Sequence, residues 1–162
     1  MKRIFVRTDL CTACKTCELA CAVEHSQARS IFASPFERPI PMHRLFVEAA
    51  DGHKVPVLCR QCEDAPCAAA CISGALFHDP QTGTVLCDWS RCIGCWTCVM
   101  VCPYGVIGRQ LELGKAVKCD LCVGRDVPAC VSACPTKALS FEEVDQFSKD
   151  KRLAFAAAVA GG

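Results

Sequence analysis

Apolar and polar positions in this chain change period every few residues, and the pattern predicts short strands and turns before it predicts a long helix. Residues 2–7 alternate as a strand would, and residues 139–141 give a second short strand near the other end, free to meet the first. Residues 45–50 and 53–58 flank Asp51-Gly52, a pair that favours a tight hairpin. A second hairpin is predicted from residues 75–78 and 84–88 on either side of Asp79-Pro80-Gln81-Thr82-Gly83. Pro35, Pro39 and Pro41 keep residues 22–58 otherwise irregular. In the tail, Glu142, Glu143 and Asp145 precede Lys149, Lys151 and Arg152, and an alanine-rich run ends at Gly161-Gly162. That order suits a helix and its dipole. Such a helix either packs back on its own lobe or serves as a docking arm.

Cysteine decides what these short elements are built around. The chain has 17 cysteines in 162 residues, so it is stapled by disulfides or by metal. Cys92, Cys95, Cys98 and Cys102, closed by Pro103, have the spacing of a bacterial iron–sulfur ferredoxin run. Its first three thiolates are expected on a tight turn over one face of a cubane. The fourth, opening a helix, is expected to serve a neighbouring cluster. Cys11, Cys14, Cys17 and Cys21 repeat the spacing, with Ala13 where the later run has Gly94 and Ala22 where it has Pro103. Two looser runs hold Cys59, Cys62, Cys67, Cys71 and Cys119, Cys122, Cys130, Cys134. Both place a proline shortly before the third cysteine (Pro66, Pro128) and Ala-Leu after the fourth (Ala75-Leu76, Ala138-Leu139). Tight and loose runs alternate, which is an internal repeat.

A cubane needs three thiolates converging on one face, whereas zinc is ordinarily held by two separated CxxC pairs. Iron–sulfur chemistry is the reading adopted, with a zinc-binding structural adaptor as the alternative. Residues 1–9 meet Arg7, Thr8 and Asp9 before any signal-like apolar region forms, and residues 153–160 fall far short of the roughly 20 that a membrane span needs. A cytoplasmic protein is expected, where thiols stay reduced. The formal charge of +1 would become negative with clusters bound, and no basic tract suggests nucleic acid. No nucleotide-binding fingerprint or nucleophile–base pair is evident, so catalysis is assigned to a partner.

The fold class expected is α+β: two pseudo-symmetric lobes of the bacterial two-cluster ferredoxin kind, with short hairpins and a C-terminal helix. Residues 1–140 would form the double domain, with lobe A from about 1–30 and 115–141, lobe B from about 55–105, and residues 142–162 as the tail.

The framework from Cys11 to Cys134 resembles the four-cluster iron–sulfur subunits that accompany molybdenum and tungsten oxidoreductases, carbon monoxide dehydrogenases and certain hydrogenases. Cys14-Lys-Thr-Cys-Glu-Leu-Ala-Cys21, Cys92-Ile-Gly-Cys95 and Cys134-Pro-Thr-Lys-Ala-Leu139 carry the likeness. The resemblance implies four [4Fe–4S] clusters. Cys11, Cys14 and Cys17 would share one with Cys134, and Cys119, Cys122 and Cys130 one with Cys21. Cys59, Cys62 and Cys67 would join Cys102, while Cys92, Cys95 and Cys98 would join Cys71. It also implies an electron wire beside a tungsten, molybdenum or nickel–iron catalytic subunit. Acceptors would be a ferredoxin, a flavin subunit that reduces NAD, or further copies of the chain through its tail.

Remaining residues are read conservatively. Cys87 is taken as a small buried thiol, with cluster exchange or redox sensing the sharper reading. Trp96 shields a cluster or simply packs. Lys15, Arg60, Arg91, Lys118 and Lys137 could stabilise reduced clusters, but solvated surface is the default. His25, His43, His53 and His78 are taken as structural or solvent-facing.

Overall fold

A computed structural model describes residues 1–161; Gly162, the last residue of the expected stop, lies outside them. Among the described residues the strands form four two-stranded antiparallel ribbons. β1 (Lys2–Val6) pairs with β8 (Leu139–Glu143), with Val6 opposite Leu139, so the two ends of the cysteine framework are tied together. β2 (Leu45–Ala50) and β3 (His53–Leu58) form the hairpin expected at Asp51-Gly52. Both turn residues have positive φ, the backbone this tight turn requires. β4 (Leu76–His78) and β5 (Val85–Cys87) form the second, and the Asp79 carboxylate accepts the amides of Gln81 and Thr82 in its loop. β6 (Gly108–Gln110) and β7 (Lys115–Val117) make a hairpin that the sequence pattern left unread.

The helices between the ribbons are short. They are α1 (Thr16–Glu24), α2 (Pro66–Ala69), α3 (Thr97–Val101) and α4 (Ala129–Ser132). The fourth cysteine of the Cys92 run closes a helix rather than opening one: Cys102 caps α3 in an extended conformation. Pro103 explains this, because its ring disfavours helical geometry in the preceding residue. With Ala22 in the corresponding place, α1 instead continues through Cys21 to Glu24.

Two separate cores result. The first gathers Ile4, Leu45, Val47, Leu58, Leu121, Ala138 and Leu139 around Cys17, Cys21, Cys130 and Cys134. The second gathers Ala65, Leu76, Val85, Ile107 and Ala116 around Cys67 and Cys98. The β2–β3 hairpin therefore belongs to the first core, and the second extends past residue 105 into β6–β7. Both shift the lobe limits expected from sequence.

β8 runs through Glu143, so the tail helix α5 spans Val144–Ala160 rather than beginning at residue 142. Phe147 stacks on Phe5 with ring centroids 3.7 Å apart. The Val144 amide also donates to the Met1 carbonyl, but the outer part of the helix does not pack back on its lobe: Leu153, Phe155 and Val159 are 59%, 72% and 66% exposed. The alanine-rich stretch is a good helix former without a core-facing stripe of large side chains, which leaves it projecting.

Candidate metal centres

Each cysteine run folds into the same kind of loop. The residue two places after its first cysteine adopts positive φ in all four: Ala13, Gln61, Gly94 and Leu121. That left-handed step turns the chain sharply between the first and second thiols. Glycine is needed only at position 94, where an added Cβ would lie 2.5 Å from the Gly114 carbonyl oxygen at a φ of +69°. Ala13 meets the backbone demand at a φ of 56°. In the tight runs Lys15 and Trp96 take a second left-handed step and cap α1 and α3, which carry Cys17 and Cys98 inward.

These loops bring thiols from distant segments together. One cavity is lined by Cys11, Cys14, Cys17 and Cys134, a second by Cys59, Cys62, Cys67 and Cys102, and a third by Cys71, Cys92, Cys95 and Cys98. Cys21, Cys119, Cys122 and Cys130 form the remaining set. The Cys21 thiol is pushed up to about 12 by burial and further by Cys122, and the Cys130 thiol is raised by burial, then by Cys119, Cys21 and Cys122. Neighbouring sets also meet, since Cys130 feels Cys17, Cys119 feels Cys59, and Cys98 feels Cys67. Cys14 and Cys95 are the exposed members of the Cys11 and Cys92 runs.

Hydroxyls recur two residues beyond a cysteine in every lobe. Thr16 lies 3.4 Å from Cys14 Sγ and Thr97 3.4 Å from Cys95 Sγ, and these side chains are the main cause of the lowered thiol pKa at both cysteines. Thr136 and Ser73 stand 3.8 and 3.7 Å from Cys134 and Cys71. At Cys71 burial pushes the pKa up, but the Leu76 amide and the Ser73 hydroxyl prevail and lower it. Thiolates so stabilised are suited to metal ligation, which requires the deprotonated form. This cysteine-x-hydroxyl pattern was present in the sequence and went unread.

Other side chains depart from their conservative readings. Lys118 is 4% exposed and Gln61 3% exposed, both buried where the lobes meet. His25 takes the structural one of the two roles expected for it: its Nε2 lies 3.2 Å from Asp120, which also accepts from Arg44 and from the Cys122 amide. Burial opposes ionisation of Asp120, but His25 and Arg44 hold its carboxyl well below the usual carboxylate range. His25, Asp120 and Cys122 stand close enough to share an ion, yet Asp120 already has three partners and braces the Cys119–Cys122 loop. Arg109 lies over the Trp96 ring, 5.9 Å from its centroid. Cys87 joins the lining of the Cys71 cavity, and its thiol is pushed up to about 12 by burial and by Cys92 and Cys98.

Cysteine loops repeated in two lobes and converging on thiol-lined cavities define an iron–sulfur protein of the ferredoxin type. A family model for the 4Fe-4S dicluster domain matches residues 50–144, over half of the sequence, and the protein belongs to that family. It is 42% identical to an iron-sulfur protein of Rhodospirillum rubrum, over 89% of this chain and 83% of that one. It is 38% identical to the electron transport protein HydN of Escherichia coli (strain K12), over 92% of this chain and 94% of that one. It is 34% identical to one of the chains of the anaerobic dimethyl sulfoxide reductase of the same strain, over 90% of this chain and 75% of that one. The protein is an iron–sulfur protein of the electron-transport kind, and the zinc-adaptor alternative falls with its family membership. Among the described residues no helix is long and apolar enough to cross a membrane.

Proposed function

We propose that the chain carries four [4Fe–4S] clusters and relays single electrons along them between a catalytic oxidoreductase and an electron acceptor or donor. The ligand sets are Cys11, Cys14, Cys17, Cys134; Cys21, Cys119, Cys122, Cys130; Cys59, Cys62, Cys67, Cys102; and Cys71, Cys92, Cys95, Cys98. The observation that carries this reading is the convergence of three thiols from one loop and a fourth from a distant segment on each of three cavities, with Cys21, Cys119, Cys122 and Cys130 left as a fourth set of the same make-up. Bound clusters would supply one-electron oxidation and reduction without proton chemistry of their own. The chain's residues supply thiolates, hydroxyl and amide donors to sulfur, and an apolar surround that keeps water away.

The catalytic partner in this reading is a tungsten or molybdenum aldehyde or formate oxidoreductase, with a carbon monoxide dehydrogenase or a hydrogenase as the other candidates. The alignment with part of a dimethyl sulfoxide reductase supports a partner of that general kind. Acceptors are a ferredoxin, a flavin subunit that reduces NAD, or another copy of this chain held through α5, whose outer side chains are uncovered. We assign the complex to the cytoplasm.

Elemental analysis of the native complex, isolated anaerobically, tests the proposal. About sixteen irons per chain beyond those of the partner are expected, with tungsten, molybdenum or nickel naming the catalytic metal. About eight irons would reduce the protein to a two-cluster carrier and break the wire.

A further inference from the structure

The two halves of the chain are related position by position, and one pair of equivalent sites differs in kind. Leu58 precedes Cys59 as Lys118 precedes Cys119; Gln61 and Leu121 each follow the first cysteine of their run by two; Ile4 and Val85 each precede the first cysteine of a tight run by seven. On one side of the molecule Leu58, Leu121 and Ile4 pack together in the first core. On the other side the equivalent residues are Lys118, Gln61 and Val85, and they form a buried polar knot. Lys118 Nζ donates to Val85 O at 2.6 Å, to Cys119 O at 2.9 Å and to Gln61 Oε1 at 3.2 Å. Gln61 in turn donates to Cys119 O at 2.8 Å and accepts from the Val85 amide at 2.9 Å.

Val85 O and Cys119 O are carbonyl oxygens that can only accept. With Gln61 Oε1 they use three protons on Nζ, which an ammonium has and a neutral amine lacks. Among the described residues no carboxylate forms an ion pair with Lys118. A buried charge without a counter-ion is costly, so an anionic group must stand nearby. Lys118 lines the cavity of Cys59, Cys62, Cys67 and Cys102, and the cluster that these thiols would hold is that anion. The equivalent neighbour of the Cys21, Cys119, Cys122 and Cys130 set is the uncharged Leu58; Lys118 reaches that set only through the Cys119 carbonyl, and the cation near Cys21, Arg44, is already paired with Asp120.

We propose that Lys118 is a fixed cation that makes the centre at Cys59, Cys62, Cys67 and Cys102 the preferred resting place of an electron passing between the lobes. The inference rests on the four-cluster reading above. One electron leaves the neighbouring centre and is taken up here; no bond forms or breaks, and Lys118 keeps its three protons. Added negative charge beside a buried cation is stabilised strongly because little water intervenes. Lys118 is therefore a positioning residue for charge, and it makes two inner centres of like ligation unequal.

The test is a potentiometric titration of the loaded protein followed by electron paramagnetic resonance, after the iron count has established four centres. The signal of interest is the one that Cys102→Ala removes. Lys118→Met keeps the side-chain length and removes the charge. It is expected to shift the reduction equilibrium of that centre at least tenfold toward the oxidised form, about 59 mV for a one-electron couple, while the outer centres stay in place. Lys118→Arg retains the charge and is expected to keep the original midpoint within that margin. Should Lys118→Met fail to load, Gln61→Glu sets a negative charge against the ammonium and is expected to lower the same midpoint. An unmoved midpoint in a four-centre variant overturns the proposal, as does an equal drop in the methionine and arginine variants. Fewer than four centres in the unmodified protein overturns the reading beneath it.

Discussion

Replacing Cys102 by alanine tests the exchange of ligands between segments. Cys102 follows Cys92, Cys95 and Cys98 in sequence but lines the cavity of Cys59, Cys62 and Cys67. A centre joining Cys59 to Cys102 closes a loop of about 43 residues. Treated as a cross-link, that closure removes about 4 kcal/mol of chain entropy from the unfolded state. Cys102→Ala is therefore expected to lower the stability of the loaded protein by about this amount, read from denaturant unfolding, which is a large share of an ordinary domain's stability. The sharper assay is a Mössbauer count of intact [4Fe–4S] centres, which should fall to about three. Adding Cys59→Ala should leave about three, because both changes strike one centre, whereas adding Cys95→Ala should leave about two. The reverse pattern, with the Cys95 pair sparing a centre and the Cys59 pair losing one more, would refute the exchange.

Three further outcomes follow from single contacts. Gly94→Ala drives a Cβ against the Gly114 carbonyl in a left-handed turn, and should cost about 1–3 kcal/mol and weaken iron retention at the Cys92 loop. Phe147→Ala removes the stack on Phe5, worth about 0.5–1.5 kcal/mol beyond its buried area, and should speed amide exchange throughout residues 144–160. Cys87→Val copies Val6, which stands in the equivalent place before Cys11, and should leave the iron count unchanged; loss of a centre would make Cys87 a ligand.

What the sequence disclosed and what it hid have physical causes. Cysteine spacing is a local property, and the loops of Cys11, Cys59, Cys92 and Cys119 are built locally, so they were legible. Asp51-Gly52 was legible because its turn needs those residue types. The β6–β7 hairpin was not, because Gly108 to Val117 is short, mixed in polarity and turns on Gly114 rather than on an Asn-Gly or Asp-Gly pair. Burial of Lys118 was illegible for a different reason. Nothing beside it in sequence reveals that Gln61 and Val85, 57 and 33 residues away, supply its acceptors. Likewise His25 finds Asp120 only once α1 and the Cys119 loop are packed together.

The departures of the first run from the strict pattern belong with those of the last. Seven residues separate Cys122 from Cys130, where the other loose run has four between Cys62 and Cys67, so the longer loop has more freedom to lose on folding. Ala22, in place of proline, lets α1 run on to Glu24 and carries one side chain to that loop and the next to the residue just after Cys119 in the same run. Glu24 accepts from Arg125 at 2.7 Å, and His25 reaches Asp120. The extension is thus the brace that a longer loop requires, and both changes fall in the same lobe. Ala22→Pro should remove the brace without touching a cysteine, at a cost of about 3 kcal/mol for proline inside a helix. Amide exchange in residues 123–129 should accelerate, and the centre at Cys119, Cys122 and Cys130 should lose iron first on exposure to a chelator. Unchanged exchange in that segment would mean that the loop holds itself, and that the missing proline serves only α1.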